Sequence, residues 1–440
     1  MLKSIKNILQ GVLNQFFISR VLLLCCILTI LVGCSSTRLN KNQKNINAVL
    51  TSNFYDNQFT GVLIVDTQNR DTLIALNPDK YFTPASNLKI FTLYAGLQII
   101  PDKMPTLKYV AKNDTLYFEG TGDPSWLHPY FKDSTAIQFL KGFKNLAFST
   151  NNFRDTKFGP GWAWEDYEFY FSPERSSIPL YGNVLKVLET DSLLVSPSLF
   201  KNLIRRGKQD HMRSITENKF IIPENLTDTL EIPFKTSGKL TKAILQNVLT
   251  NRIEQIAKFP KSEKKVLYGI STDSIYKRML FESDNFLAEQ LMLVAASTLS
   301  DTLSFKISRN HVLQNSLSKL KQTPRWVDGS GLSRYNLFTP ESFVQVLTQL
   351  KEEVQEERLF HLFPGWNASG TITKPETVNE VPFIYAKSGG MGNVYNLSGY
   401  LKTKSGKILV FSFMNNHFRK PSSEVRKNMY AILKDLRNNY

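Results

Sequence analysis

Ser86 and Lys89 place a hydroxyl and an amine three residues apart in the stretch Tyr81-Phe82-Thr83-Pro84-Ala85-Ser86-Asn87-Leu88-Lys89-Ile90-Phe91-Thr92-Leu93-Tyr94-Ala95-Gly96-Leu97. A Pro-marked extended segment ends at Ala85 and an apolar helical pattern begins at Ser86, which predicts a serine in the first turn of a buried helix. Residues at i and i+3 share a helix face, so the amine comes beside the hydroxyl, at the positive end of the helix dipole. An alcohol becomes a nucleophile when a base takes its proton, and a lysine becomes that base when burial lowers its pKa. Five other Ser-x-x-Lys pairs, at Ser198/Lys201, Ser262/Lys265, Ser274/Lys277, Ser316/Lys319 and Ser318/Lys321, lie in polar stretches where a lysine stays solvated and charged. The pair at Ser86 alone is followed by Ile90, Phe91, Leu93, Tyr94 and Leu97. On this stretch alone, catalysis and a capped core helix both stand open.

Two further groups of polar residues are placed where chemistry fits. Ser283-Asp284-Asn285 interrupts a helical pattern with small polar residues, and Lys387-Ser388-Gly389 opens a strand near the C-terminus. A glycine at that third position lets a ligand approach the backbone closely. Ser-x-Asn recurs at Ser149 and Ser308, and Lys-Ser-Gly at Lys404, so order and context carry the signal. Ser-x-x-Lys opening a helix, Ser-Asp-Asn between helices and Lys-Ser/Thr-Gly on a late strand is the signature set of penicillin-binding proteins and serine β-lactamases. The chain resembles the D-alanyl-D-alanine carboxypeptidase/endopeptidase family, the class C low-molecular-mass penicillin-binding proteins. The likeness runs from about Thr60 to His417. It also includes Gly122-Asp123-Pro124, Gly159-Pro160-Gly161-Trp162 and Asp328-Gly329-Ser330-Gly331-Leu332-Ser333.

That resemblance implies an α/β (α+β) fold of the penicillin-binding, serine β-lactamase-like transpeptidase type, an antiparallel sheet flanked by helices. It implies a serine peptidase acting on peptidoglycan stem peptides ending in D-Ala-D-Ala, and on cross-links, through an acyl-enzyme that penicillin and other β-lactams also form. Ser86 would attack, with Lys89 kept neutral by burial and by a charge on Lys387, and Ser283 would pass the proton to the departing amine. Asn285 would hold the substrate amide, Lys387, Ser388 and Gly389 would bind the terminal carboxylate, and the N–H groups of Ser86 and Gly390 would form the oxyanion hole. No cofactor and no metal are implied. Ser388 replaces the usual threonine but keeps its hydroxyl. The acid expected before Gly159 for the diamino acid of the stem peptide is absent from Ser149-Thr150-Asn151-Asn152, and the separation of 197 positions from Ser86 to Ser283 is short for the family's two inserted subdomains. Runner-up readings are a β-lactamase or esterase on the same scaffold, and a silent envelope-binding lipoprotein.

The elements that must position these groups follow the pattern of the 440 residues. A hairpin, Gly61–Val65 and Thr72–Leu76, delivers the chain to Ser86. Short aromatic strands and turns from Pro101 to about Ser237 read as a mostly β insertion, in which Trp126, Trp162 and Trp164 read as core or rim packing rather than a ligand box. Helical spacing returns at Leu240, from Ile275 to Leu299, from Ser304 to Leu320 and after Thr339-Pro340, an N-cap followed by proline. Three consecutive strands and a helix end the chain. The domain organisation is a signal peptide at 1–33, a tether at 34–45, a catalytic region at 46–100 plus 238–440, and the insertion at 101–237.

Lys3, Lys6 and Arg20 precede an apolar run, Val21 to Val32, too short to span a bilayer comfortably. It ends Leu31-Val32-Gly33-Cys34-Ser35-Ser36, which resembles a bacterial lipoprotein signal with Cys34 acylated; an ordinary secretory signal or uncleaved anchor is the alternative. Cleavage removes Cys25 and Cys26, which leaves no thiol for a disulfide. The implied location is the bacterial cell envelope, exported and lipid-anchored to a membrane, facing the periplasm where an outer membrane exists. The net charge of +16 falls to +13 once three bases and no acid leave with the signal. Scattered bases without arginine-rich runs argue against nucleic acid, and suit either attraction to anionic envelope polymers or solvated surface. The five histidines form neither H-E-x-x-H nor zinc spacing, and neither G-x-S-x-G nor a phosphate-binding loop occurs.

Overall fold

The computed structural model describes residues 44–208, 210–366 and 381–440. The expected signal peptide, Cys34 and nearly all of the tether lie outside the described residues. Five strands make an antiparallel sheet in the order Ile384–Met391, Val394–Lys402, Ile408–Asn416, Phe59–Asp66, Thr72–Leu76. The hairpin and the C-terminal strands are those expected from their patterns. Their union is new: the first strand pairs with the last, from Phe59 opposite Asn416 to Asp66 opposite Leu409.

Both faces of this sheet are covered, which explains the apolar runs at 61–65 and 408–414 in two of its inner strands. Val62, Ile64, Phe411 and Phe413 pack on the C-terminal helix Ser422–Asn439 through Val425, Met429 and Leu433. Leu63, Tyr400, Val410 and Met414 on the other face meet helices Lys89–Ile99, Asn285–Leu299 and Pro340–Glu353. The Lys89–Ile99 helix is apolar on every side and is buried from Lys89 to Gly96. Phe91 fixes it edge-on against Trp326, Phe338 and Phe343, with ring centroids 5.7, 4.7 and 5.2 Å apart. The pattern from Ile275 to Leu299 resolves into two helices, Thr272–Phe281 and Asn285–Leu299, broken where Ser283 turns left-handed at φ 56°.

The insertion has its own sheets and core. Arg252–Gln255, Asn145–Ser149, Thr115–Gly120, Lys103–Lys112 and Lys265–Ser271 form one five-stranded sheet, and Leu230–Pro233, Val184–Glu189 and Leu193–Ser196 a smaller one. Ile244 and Leu245 of helix Gly238–Val248, with Ile253 beyond it, share the core of Phe118, Phe148 and Phe234. Sheet and core therefore continue past residue 237, and we propose that the inserted unit ends near Ser271, with the catalytic region resuming at Thr272.

Removing the Phe91 ring leaves a cavity between three aromatic neighbours. Phe91→Ala is expected to cost about 3–5 kcal/mol, read as a lower urea midpoint at unchanged slope; a loss under about 1 kcal/mol would contradict this packing.

Candidate active site

Ser86 is held by what precedes it. Ala85–Leu88 is a single 3-10 turn leading directly into the Lys89–Ile99 helix. The backbone before it is strapped to the sheet by asparagines. Thr83 N donates to Asn416 Oδ1 at 2.7 Å, while Asn396 Nδ2 donates to the carbonyls of Thr83 (2.9 Å) and Pro84 (2.8 Å). Asn87 Nδ2 reaches Ser398 Oγ at 2.8 Å. Ala85 sits at φ 47°, a left-handed conformation that costs an L-residue roughly 1–2 kcal/mol. Two glycines close on this turn. A Cβ on Gly331 would lie 1.9 Å from Ala85 O, and one on Gly389 2.4 Å from Pro84 O and 2.6 Å from Asn87 N. The openness of Gly389, expected to admit a ligand, admits the chain's own backbone instead.

Lys89 is completely buried, and its Nζ lies 3.0 Å from Ser86 Oγ, 2.7 Å from Asn285 Oδ1 and 2.8 Å from Ser330 O. Asn285 Nδ2 donates to Phe171 O at 3.0 Å, which fixes the amide so that its oxygen faces the amine. Burial pulls the Lys89 pKa down to about 8, against the carboxylates of Asp284, Asp328 and Glu289, which raise it. An uncharged amine has two hydrogens and one lone pair. With Asn285 Oδ1 and Ser330 O taking the hydrogens, the lone pair faces the serine hydroxyl.

Ser86, Ser283, Asn285 and Gly390 line one cleft of about 1110 Å³, which Tyr130, Asp166 and Arg334 close from other elements. Four of the expected groups therefore meet. Asn285, expected to hold substrate amide, already spends both ends of its own amide on Lys89 and Phe171. Lys387 lies behind the cleft wall, fully buried, and its Nζ has no hydrogen-bond partner among the described residues. Burial first, and the Lys89 ammonium second, push its pKa well below the ordinary lysine value. The expected charge on Lys387 that keeps Lys89 neutral is therefore opposed by burial and by Lys89 itself. Ser388 and Gly389 follow on the same strand, both buried.

Several contributors carried no role in the sequence reading. Buried Asp328 accepts from Trp162 Nε1 (2.9 Å), Gly331 N (2.9 Å), Ser333 N (2.7 Å) and Asn336 Nδ2 (2.8 Å), tying the Gly-Pro-Gly-Trp loop of the insertion to the Gly331 turn. Glu289 accepts from Ser330 N at 2.8 Å and from Arg175 Nη1 at 3.4 Å, and burial with the nearby Asp328 raises its pKa. The signal was an acid set among glycines and serines, and asparagines inside apolar strands: buried polar groups of this kind have to be satisfied.

An antiparallel sheet backed by helices, with a serine hydroxyl on a buried lysine at the start of the central helix, defines a serine acyl-transfer enzyme of the penicillin-binding class. Residues 42–194 and 239–436 match the D-Ala-D-Ala carboxypeptidase 3 (S13) family, and the chain belongs to that family of serine peptidases. It is similar to the D-alanyl-D-alanine carboxypeptidase DacB of Haemophilus influenzae, at 22% identity over 88% of this chain and 94% of the relative. A carboxypeptidase DacB of Mycolicibacterium smegmatis is 27% identical over 32% of this chain and 33% of its own. The crystal structure of penicillin binding protein 4 (dacB) from Haemophilus influenzae superposes with a TM-score of 0.67 at 19% identity, covering 87% of this chain and 96% of that one, and so shares the fold.

Because backbone atoms face Gly389, a methyl there cannot be relieved by a side-chain rotation. Gly389→Ala is expected to slow labelling by fluorescent penicillin about a hundredfold through displacement of Ser86, with the protein still folded by circular dichroism. Labelling at the wild-type rate would contradict the close approach.

Proposed function

We propose that the protein is a serine D-Ala-D-Ala carboxypeptidase/endopeptidase of the cell wall, with Ser86 as nucleophile and Lys89 as its base. The reading rests on one observation, the fully buried Lys89 amine 3.0 Å from Ser86 Oγ. Ser86 Oγ attacks the carbonyl of the D-Ala-D-Ala bond while Lys89 takes its proton. The negative oxygen that forms is held by the N–H groups of Ser86 and Gly390, donors of a type worth about 3 kcal/mol each in acyl transfer. Ser283 relays the proton to the departing amine. The C–N bond breaks, and the acyl group stays on Ser86 as an ester. Water, deprotonated by Lys89, then releases it and restores the serine.

Lys387 and Ser388 receive the terminal carboxylate, which reaches the buried Lys387 amine once the cleft wall around it gives way. An arriving anion gives the buried Lys387 amine a reason to take up a proton. That new charge in turn disfavours a proton on Lys89, so substrate binding sharpens the base. Asn285 orients Lys89, and its Nδ2 becomes available to substrate amide when the Phe171 carbonyl yields. β-Lactams acylate the same serine. Peptidoglycan is the substrate, and the D-alanyl-D-alanine carboxypeptidase name of the Haemophilus influenzae relative supports this. The protein works in the cell envelope. The sequence Leu31-Val32-Gly33-Cys34 supports export and a lipid anchor on Cys34, which holds the enzyme at a membrane.

With a pKa of about 8, about a tenth of Lys89 is unprotonated at pH 7 and most of it at pH 9. The second-order rate of acylation by penicillin is expected to rise with pH and level off above about 8, and Ser86→Ala is expected to abolish labelling. A profile flat between about pH 6 and 9 would refute Lys89 as the base, and undiminished labelling of Ser86→Ala would refute the nucleophile. Digestion of purified wall, with the fragments identified by mass, reports whether free D-alanine or cut cross-links appear.

Cys34→Ala is expected to move the protein from the membrane fraction to the soluble fraction with penicillin labelling intact. Retention in the membrane would argue against the lipid anchor.

A further inference from the structure

Beside the cleft, within the insertion, lies a second cavity of about 600 Å³. Its lining includes Arg205, Arg206, Lys208, Arg213 and Lys219 and, among the described residues, no carboxylate. Two of the five cations are neutralised, Arg206 by Glu189 and Lys219 by Glu217. Arg205 and Lys208 are exposed on the rim and form no ion pair among the described residues.

Arg213 is the informative group. Only 2% exposed, it gives Nη1 to Ser214 O and Nη2 to Tyr167 O, and lies over the Tyr167 ring at 4.8 Å, while its Nε has no partner among the described residues. Glu174 and Glu168 lie within electrostatic reach of it, but Glu174 accepts from Lys157 and Thr236, and Glu168 is occupied by His211 and the backbone of Met212 and Arg213. A buried guanidinium whose nearby carboxylates are spent on other donors, in the wall of a cavity lined by no acid among the described residues, leaves a donor that an anion would satisfy. Trp164 adds a large ring that is 69% exposed on the rim. Such a combination of aromatic face and cations suits a sugar that carries a negative group.

The position of the cavity says what would bring that sugar. In the turn Trp164–Glu168, Trp164 and Tyr167 face this cavity while Glu165 and Asp166 face the catalytic cleft. One turn is a wall of both, so a polymer that delivers its peptide to Ser86 passes the basic cavity within a few residues. Asn202 to Ile221 lie in the stretch 195–238 between the two segments that match the family.

We propose that this cavity is an accessory binding site for an anionic group, carboxylate or phosphate, on a cell-wall saccharide, and that it holds the polymer while the cleft works on its peptide. The inference rests on the peptidase reading above. The test measures retention on purified insoluble wall with Ser86→Ala protein, which binds without turnover, and adds Arg205→Glu with Lys208→Glu, or Trp164→Ala separately. Penicillin labelling of the same changes with Ser86 intact checks that each variant is folded and its cleft formed.

Charge reversal is expected to lower retention about tenfold, with wild-type retention falling steeply as salt is raised; Trp164→Ala is expected to lower it as well. Wall stripped of phosphodiester polymers by hydrofluoric acid, and wall whose carboxylates are amidated by carbodiimide, distinguish the two sources of charge, and loss of retention on either supports the site. Equal retention by all three proteins, or retention indifferent to both treatments, overturns it. Failure of wild-type protein to label with penicillin would instead overturn the peptidase reading, which leaves the two distinguishable.

Discussion

A lysine amine with no exposed surface has to be satisfied by protein alone, and the active region of this molecule is arranged around that demand. As an ammonium, Lys89 would use Ser86 Oγ, Asn285 Oδ1 and Ser330 O as three acceptors; as an amine it keeps the last two and turns its lone pair on the first. Desolvation favours the amine, and Asp284, Asp328 and Glu289 favour the ammonium. These opposing influences leave the group near the middle of the range in which both forms are present, as general base catalysis requires. Among the described residues no carboxylate offsets burial at Lys387, and burial lowers its pKa well below the ordinary lysine value.

Most of the surrounding architecture can be traced to holding that amine and its serine in register. The Ser330 carbonyl stays in place because Ser330 N is tied to Glu289 and the following turn to Asp328. Asp328 also reaches Trp162, so the insertion helps to build the catalytic region and does more than flank it. On the opposite side, Asn396 and Asn416 strap the backbone before Ser86 to a sheet closed by pairing residues more than three hundred positions apart. Left-handed Ala85 and Ser283 fall at the two places where side chains enter the cleft, and backbone strain of this kind is retained where surrounding contacts fix it.

Local pattern revealed what local physics governs. The apolar run after Lys89 distinguished Ser86 from five other Ser-x-x-Lys pairs, because burial is what changes a lysine, and burial is written in neighbouring residues. Thr339-Pro340 marked a helix start for the same reason, and Thr339 Oγ1 caps Ser342 N at 3.0 Å. Contacts made across the chain were not legible. Nothing near Asn396 names Thr83 as its partner, and nothing near Gly389 shows that Pro84 will lie against it. The texture change that suggested an insertion ended at about residue 237, because the amphipathic helix Gly238–Val248 resembles any helix of the catalytic region; the sheet it serves is completed only by Lys265–Ser271.

The account turns on an amine that gives up its proton near neutrality, and nitrogen chemical shifts observe that directly. In protein labelled with 15N-lysine, one Nζ signal, absent from Lys89→Met, is expected to titrate with a midpoint near 8. A Lys89 signal that titrates at the ordinary lysine value of 10.5 would mean that the group is a charged structural lysine, and the proposed proton transfer from Ser86 would have to be abandoned.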